Sequence, residues 1–170
     1  MVYTWLEIDN NASETVRSFL HSLMERGVVD AVLVPMPTPG GASAIPTLVS
    51  DPQKLAQAEP LAPVMPVSEA TMVALLTRTG APRRLGVLLR NCQIRALVEL
   101  AKFKQAYLDD VLIIGVDCPG TYEVADYAAL VGEGVNPTVE LLAGIAQGNP
   151  APYESKSFRG ACSMCVYPIP

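Results

Sequence analysis

Along this chain, stretches with an apolar residue every three or four positions alternate with short, uninterrupted apolar runs. The first kind predicts helices and the second predicts strands. Residues 13–26, SETVRSFLHSLMER, put Val16, Phe19, Leu20 and Leu23 on one helical face, with Ser13 as N-cap and Gly27 as stop. The run VVDAVLVPM (28–36) predicts a buried strand, and AIPTLV (44–49) a second. Asp51 opens a short helix with Pro52 at its first position, where the missing N–H costs nothing. Ser68 opens another helix, closed by Gly80. LGVLL (85–89) predicts a strand, and residues 92–103 a helix with Ile94, Leu97, Val98 and Ala101 on one face. VLIIGVD (111–117) is the most strand-like run of all, and helices over 121–132 and 136–148 follow it.

Strands that are apolar throughout, alternating with helices, predict an α/β fold. The expected form is a three-layer domain with a mostly parallel sheet of four or five strands and helices on both faces. Residues 1–150 are expected to form this domain, and residues 151–170 a C-terminal segment folding back on it. Ligands of such sheets gather at the carboxyl ends of the strands.

Composition narrows the function classes. With 170 residues, half of them apolar, the chain has material for one core. A net charge of −5 excludes the basic face that nucleic-acid binding requires. No apolar run approaches the ~20 residues of a spanning helix. The amino-terminal stretch has neither the basic nor the apolar region of a signal peptide. A cytoplasmic location is therefore expected, and there structural disulfides are rare.

The four cysteines then call for another role. Cys92 follows one predicted strand and opens a helix. Cys118 follows the next strand and is expected to open the next helix. Neighbouring strand-to-helix turns of a parallel sheet can lie side by side, so these two can be neighbours in space. Cys162 and Cys165, a Cys-x-x-Cys pair, need only fold back over the same edge. Helix N-termini there favour thiolates. Four thiolates suit zinc or an iron–sulfur cluster. Single cysteines on sheet loops, rather than two short knuckles, fit a cubane somewhat better. The other readings are buried small residues or a redox dithiol at Cys162 and Cys165, which opens no obvious helix. His21, the single histidine, sits mid-helix beside Leu20 and Leu23, so a Ser–His–Asp triad within the chain is not expected. Arg90 and Arg95 flank Cys92 and are either exposed or offset the charge of a thiolate site.

A dinucleotide needs backbone donors for its phosphates, yet no Gly-rich nucleotide fingerprint is present. The candidate contacts are Pro66 and Ser68, at the entry of a helix, and Gly120 and Thr121, beside Cys118. The loop Pro39–Ser43 is a weaker candidate, read first as a plain turn. Ser68 also reads as an ordinary N-cap.

Three motifs, Asn91-Cys92-Gln93-Ile94-Arg95-Ala96-Leu97, Asp117-Cys118 and Arg159-Gly160-Ala161-Cys162-Ser163-Met164-Cys165, occur in this order. Together they resemble the core of the coenzyme F420 hydrogenase/dehydrogenase beta-subunit family, which includes beta subunits of F420-reducing hydrogenase and F420-dependent formate dehydrogenase. Asn91 replaces that family's proline before the first cysteine, and its Ser-Gly-Gly-like turn before the first helix is absent. The resemblance implies an iron–sulfur flavoprotein subunit of an oxidoreductase, apparently truncated at its C-terminus. It implies a 4Fe–4S cluster on Cys92, Cys118, Cys162 and Cys165, and FAD. It also implies electron transfer between FAD or coenzyme F420 and a partner hydrogenase, formate dehydrogenase or heterodisulfide-reductase-type subunit. The alternative is a non-catalytic α/β domain with a structural four-cysteine zinc site.

Overall fold

A computed structural model describes residues 6–8, 11–79, 81, 83–154 and 156–166. The chain runs α1 (Ala12–Glu25), β1 (Ala31–Pro37), β2 (Ala44–Val49), a 3₁₀ turn (Pro52–Gln57), α2 (Glu69–Thr77), β3 (Leu85–Arg90) and α3 (Asn91–Lys102). It continues with β4 (Val111–Val116), α4 (Val124–Gly132), α5 (Pro137–Ala146) and a single turn, α6 (Gly160–Ser163). Asn11, not Ser13, caps α1, its side chain accepting from the Glu14 N–H at 3.1 Å. Gly80, read as the stop of α2, lies outside the described residues; Arg78 caps the helix.

The four strands form one sheet in the order β2-β1-β3-β4. β1 pairs with β3, and β3 with β4, in parallel, as expected. The β1–β2 pair is antiparallel. Its connection, residues 38–43, is far too short for the crossover of a dozen or more residues that a parallel pair needs. That loop closes on itself: the Thr38 N–H donates to the Ser43 carbonyl at 2.8 Å, and the Ser43 N–H to Thr38 Oγ1 at 3.1 Å. Its Gly40 and Gly41 take positive φ values of 81° and 73°. These bonds are those of a hairpin turn.

Side chains alternate across the sheet, so each strand feeds two cores. Val32, Val34 and Leu88 face α1, packing with Val16, Leu20 and Met24. Ala31, Leu33, Val87 and Leu89 face α2 and α3, packing with Ala70, Val73 and Leu97. These are the three expected layers. A third cluster, Ala44, Ala62, Val64, Tyr122, Tyr127 and Leu130, lies under α4. β3 is buried throughout, whereas β4 is an edge strand and only half-buried. Its apolar run sets its strand preference, not its place in the sheet.

Candidate metal and cofactor site at the carboxyl edge of the sheet

The register of β3 and β4 aligns the first two cysteines. Arg90 and Val116 are paired residues at the ends of these strands. Cys92 and Cys118 each lie two residues beyond. Cys92 is the second residue of α3, which starts directly from β3. Cys118 does not open a helix, contrary to the sequence expectation: α4 begins at Val124, with Glu123 as its N-cap. The intervening stretch is irregular and is pinned at Tyr122, which bridges Val64 on one side and Phe158 on the other.

These bridges bring the C-terminal segment onto the edge. The Tyr122 N–H donates to the Pro63 carbonyl at 2.8 Å, and the Arg159 N–H to the Thr121 carbonyl at 2.9 Å. The Tyr122 and Phe158 rings meet at 5.3 Å, tilted by 59°. The Tyr122 hydroxyl accepts from the Tyr153 N–H at 2.8 Å. Gly120 is required at this crossing. Its φ of 137° is strained for any other residue, and an added Cβ would lie 2.6 Å from the Phe158 ring. The Arg159 guanidinium reaches the Met65 carbonyl at 3.4 Å and the Glu123 carboxylate at 3.7 Å.

The Cys-x-x-Cys pair follows at once. Cys162 lies in the single turn α6 and Cys165 just beyond its C-cap, Met164; the pair opens no helix. Its Sγ is 3.2 Å from Thr121 Oγ1. The Cys165 N–H donates to the Cys162 carbonyl at 3.1 Å. All four cysteines are free thiols.

Cys92 and Cys118 lie within electrostatic reach of each other and of Cys162. Burial pushes the Cys92 thiol up; Arg90 opposes this, and Cys162 and Cys165 add to it. Burial likewise raises Cys118, again opposed by Arg90 and reinforced by Cys162 and Cys92. At Cys92, in the first turn of α3, desolvation thus outweighs the helix N-terminus that was expected to favour a thiolate. Among the described residues, no three His, Cys, Asp or Glu side chains stand close enough to share a metal ion. The donor chemistry nonetheless fits a thiophilic metal or cluster: four free thiols, mutually repelling once ionised, need a cation to ionise together.

A buried polar network underlies this edge. Arg90 and Glu69 are 6% and 3% exposed. Arg90 Nη2 donates to the Ala62 carbonyl at 2.6 Å, and Nη1 lies 3.8 Å from Glu69 Oε1. The Gln93 side chain accepts from the Arg90 N–H at 2.8 Å and donates to Glu69 Oε2 and to Met65 Sδ. Burial raises the Glu69 carboxyl, against the pull of Arg90. Of the two arginines flanking Cys92, Arg90 is therefore buried and Arg95 exposed. The residues 62–66 are the common anchor for α3, the Cys118 loop and the C-terminal segment. Sequence reading missed this role, because no periodicity marks it; the prolines at 60, 63 and 66 were its only sign.

The four candidate cofactor contacts divide into two pairs. Pro66 is exposed at the entry to α2. Ser68 is the N-cap by position, its carbonyl accepting from the Thr71 and Met72 N–H groups, while its hydroxyl makes no cap bond. Gly120 carries the Phe158 ring, and Thr121 contacts the Cys162 thiol.

No family model matches the chain. A curated protein, the F420-dependent formate dehydrogenase 1 subunit beta of Methanococcus maripaludis, is 30% identical over 106 residues. That match covers 62% of this chain and 27% of the relative, so the chain spans about a quarter of the relative's length. The fold is similar to that of a chain from the F420-reducing NiFe hydrogenase complex of Methanosarcina barkeri. The TM-score is 0.53 at 17% identity, covering 69% of this chain and 42% of that one. In its three ordered cysteine motifs and in this partial sequence match, the chain is similar to beta subunits of the coenzyme F420 hydrogenase/dehydrogenase type, and its fold is shared with the hydrogenase-complex chain.

Proposed function

We propose that the chain is the cysteine-ligated part of an iron–sulfur flavoprotein, an electron-transfer subunit or segment of an F420-type oxidoreductase. The observation that carries this reading is the gathering of four free cysteines, from three separate segments, at one edge of the sheet. Cys92, Cys118, Cys162 and Cys165 would hold a 4Fe–4S cluster, which supplies one-electron exchange when bound. Pro66, Ser68, Gly120 and Thr121 are the proposed contacts for FAD; the free hydroxyl of Ser68 supports this. Thr121 orients the Cys162 sulfur through their 3.2 Å contact. Phe158 and Gly120 keep the last two cysteines against the first two.

The electrons would pass between FAD or coenzyme F420 and a partner subunit of hydrogenase, formate dehydrogenase or heterodisulfide-reductase type. Both the relative and the structural neighbour support such a setting by name. No helix among the described residues is long and apolar enough to cross a membrane, and a cytoplasmic location is part of the proposal.

Metal and sulfide analysis of anaerobically purified protein, with a visible spectrum, tests the reading. About four iron and four sulfide per chain, with a broad brown absorbance, are expected for one cubane. Zinc without sulfide would replace the electron-transfer role with a structural four-cysteine site.

A further inference from the structure

A buried Arg–Glu pair adds little to stability as such; apolar residues of the same volume often serve as well or better. Arg90 and Glu69 are therefore an expensive arrangement at their position. Arg90 ends β3, in register with Val116 of β4. Cys92 and Cys118 are two residues further along each strand. The guanidinium is fixed from three sides: the Ala62 carbonyl at 2.6 Å, the Val64 carbonyl at 3.5 Å and the Glu69 carboxylate at 3.8 Å. Gln93 holds both ends of the pair, through the Arg90 N–H and Glu69 Oε2.

Four thiolates around a divalent cation carry a net double negative charge. At a partly buried edge, that charge needs a fixed counter-charge. We propose that Arg90 is the charge-balancing residue of the four-thiol site, with Glu69 setting how much of its charge the thiolates feel. Arg90 is a positioning residue: its guanidinium is held by the Ala62 and Val64 carbonyls and Glu69, and it acts on the thiolates through its charge. Its role deepens the four-thiol reading above and depends on it.

Cobalt(II) titration of the reduced, metal-free full chain at neutral pH, followed by sulfur-to-cobalt charge-transfer absorbance, provides the test. R90M is expected to weaken cobalt binding roughly tenfold or more, the scale of a unit charge at close range in a partly buried site. R90K, which keeps the charge, should recover part of the loss. E69Q should tighten binding several-fold, because the guanidinium loses its competing carboxylate. A purely structural network predicts that R90M and E69Q weaken binding alike. Equal affinity of R90M and the unaltered chain, or weakening by E69Q, overturns the role of Arg90 while leaving the four-thiol site in place. No cobalt–thiolate band in the unaltered chain overturns the site and, with it, the role of Arg90. Should R90M fail to fold, E69Q decides alone: tightening supports the proposal, and unchanged or weaker binding overturns it.

Discussion

The two strand-to-helix turns that carry Cys92 and Cys118 look alike in sequence and are built differently. After β3 there is no loop: α3 starts at the next residue, Gln93 ties the turn to Glu69, and Leu97 anchors the helix in the core. After β4, residues 117–123 form an irregular connection, and the backbone of Thr121 and Tyr122 pairs with Arg159 and Pro63. One turn is part of the domain's interior. The other is a receptor for the chain's own C-terminal segment. The thiols therefore depend on general stability in different degrees: Cys92 moves only if the domain unfolds, while Cys162 and Cys165 can be released separately. Local opening of this kind is ordinary where few buried contacts hold a segment.

Removing the anchor of the first turn should have the largest effect. Leu97 is completely buried among Val73, Leu85 and Leu89. L97A should cost about 3 kcal/mol, the middle of the range for emptying a core leucine site. Urea unfolding should show a lower midpoint with an unchanged slope. Cys92 itself is exposed in the folded chain, so amide hydrogen exchange of α3 is the readout: it should accelerate in proportion to the unfolded fraction. Faster exchange in α3 without loss of global stability would show that α3 opens independently, and the contrast between the turns would disappear.

Most of the architecture was legible because periodicity reports burial. The alternation of Val32 and Val34 with Ala31 and Leu33 serves two faces of one sheet, and both faces are apolar. The antiparallel direction of the β1–β2 pair follows from the shortness of its loop, a constraint that the expectation of a mostly parallel sheet left unused. What the sequence hid was tertiary. Gly120 reads as a turn glycine until Phe158, 38 residues on, is seen lying against it. Glu69 reads as an acid favoured in a first helical turn, yet it faces Arg90 in the interior. The cysteine spacing indicated the shared edge, but Cys118 is displaced from its expected helix start. Only the bridges from Tyr122 explain why. Such contacts depend on pairs distant in sequence, and no local pattern encodes them.

Releasing the second turn should produce a smaller and differently distributed effect. G120A places a Cβ 2.6 Å from the Phe158 ring and forces alanine into a φ of 137°. The cost should be about 2 kcal/mol, in the range of a strained backbone position. It should fall mainly on the docking of residues 158–166. Cys162, half-buried against Thr121, should be alkylated several-fold faster, with the already exposed Cys92 and Cys165 little changed and the main unfolding transition largely preserved. Equal acceleration at all four cysteines would mean that the segment and the domain form one cooperative unit.

The smallest effect is expected at the opposite edge of the sheet, which serves as the control. Asp30, just before β1, accepts from the Arg84 N–H at 3.0 Å and from Arg84 Nη2 at 2.6 Å, joining the starts of β1 and β3. The side-chain bonds from Arg84 hold its carboxyl below the ordinary value of 3.8. The sign follows from linkage: a depressed carboxyl contributes stability above its unfolded pKa and loses it as pH falls through the folded one. D30N should therefore lower the urea midpoint slightly at neutral pH, as expected for an exposed pair. The difference from the unaltered chain should shrink as pH drops below 3.8 and vanish once Asp30 is protonated in both states. Alkylation of the four cysteines should not change at any pH where the domain stays folded. If D30N instead altered Cys92 or Cys118 reactivity, β3 and β4 would be transmitting strain from one edge of the sheet to the other. The thiol edge would then have to be treated as coupled to the whole sheet rather than set by its own turns.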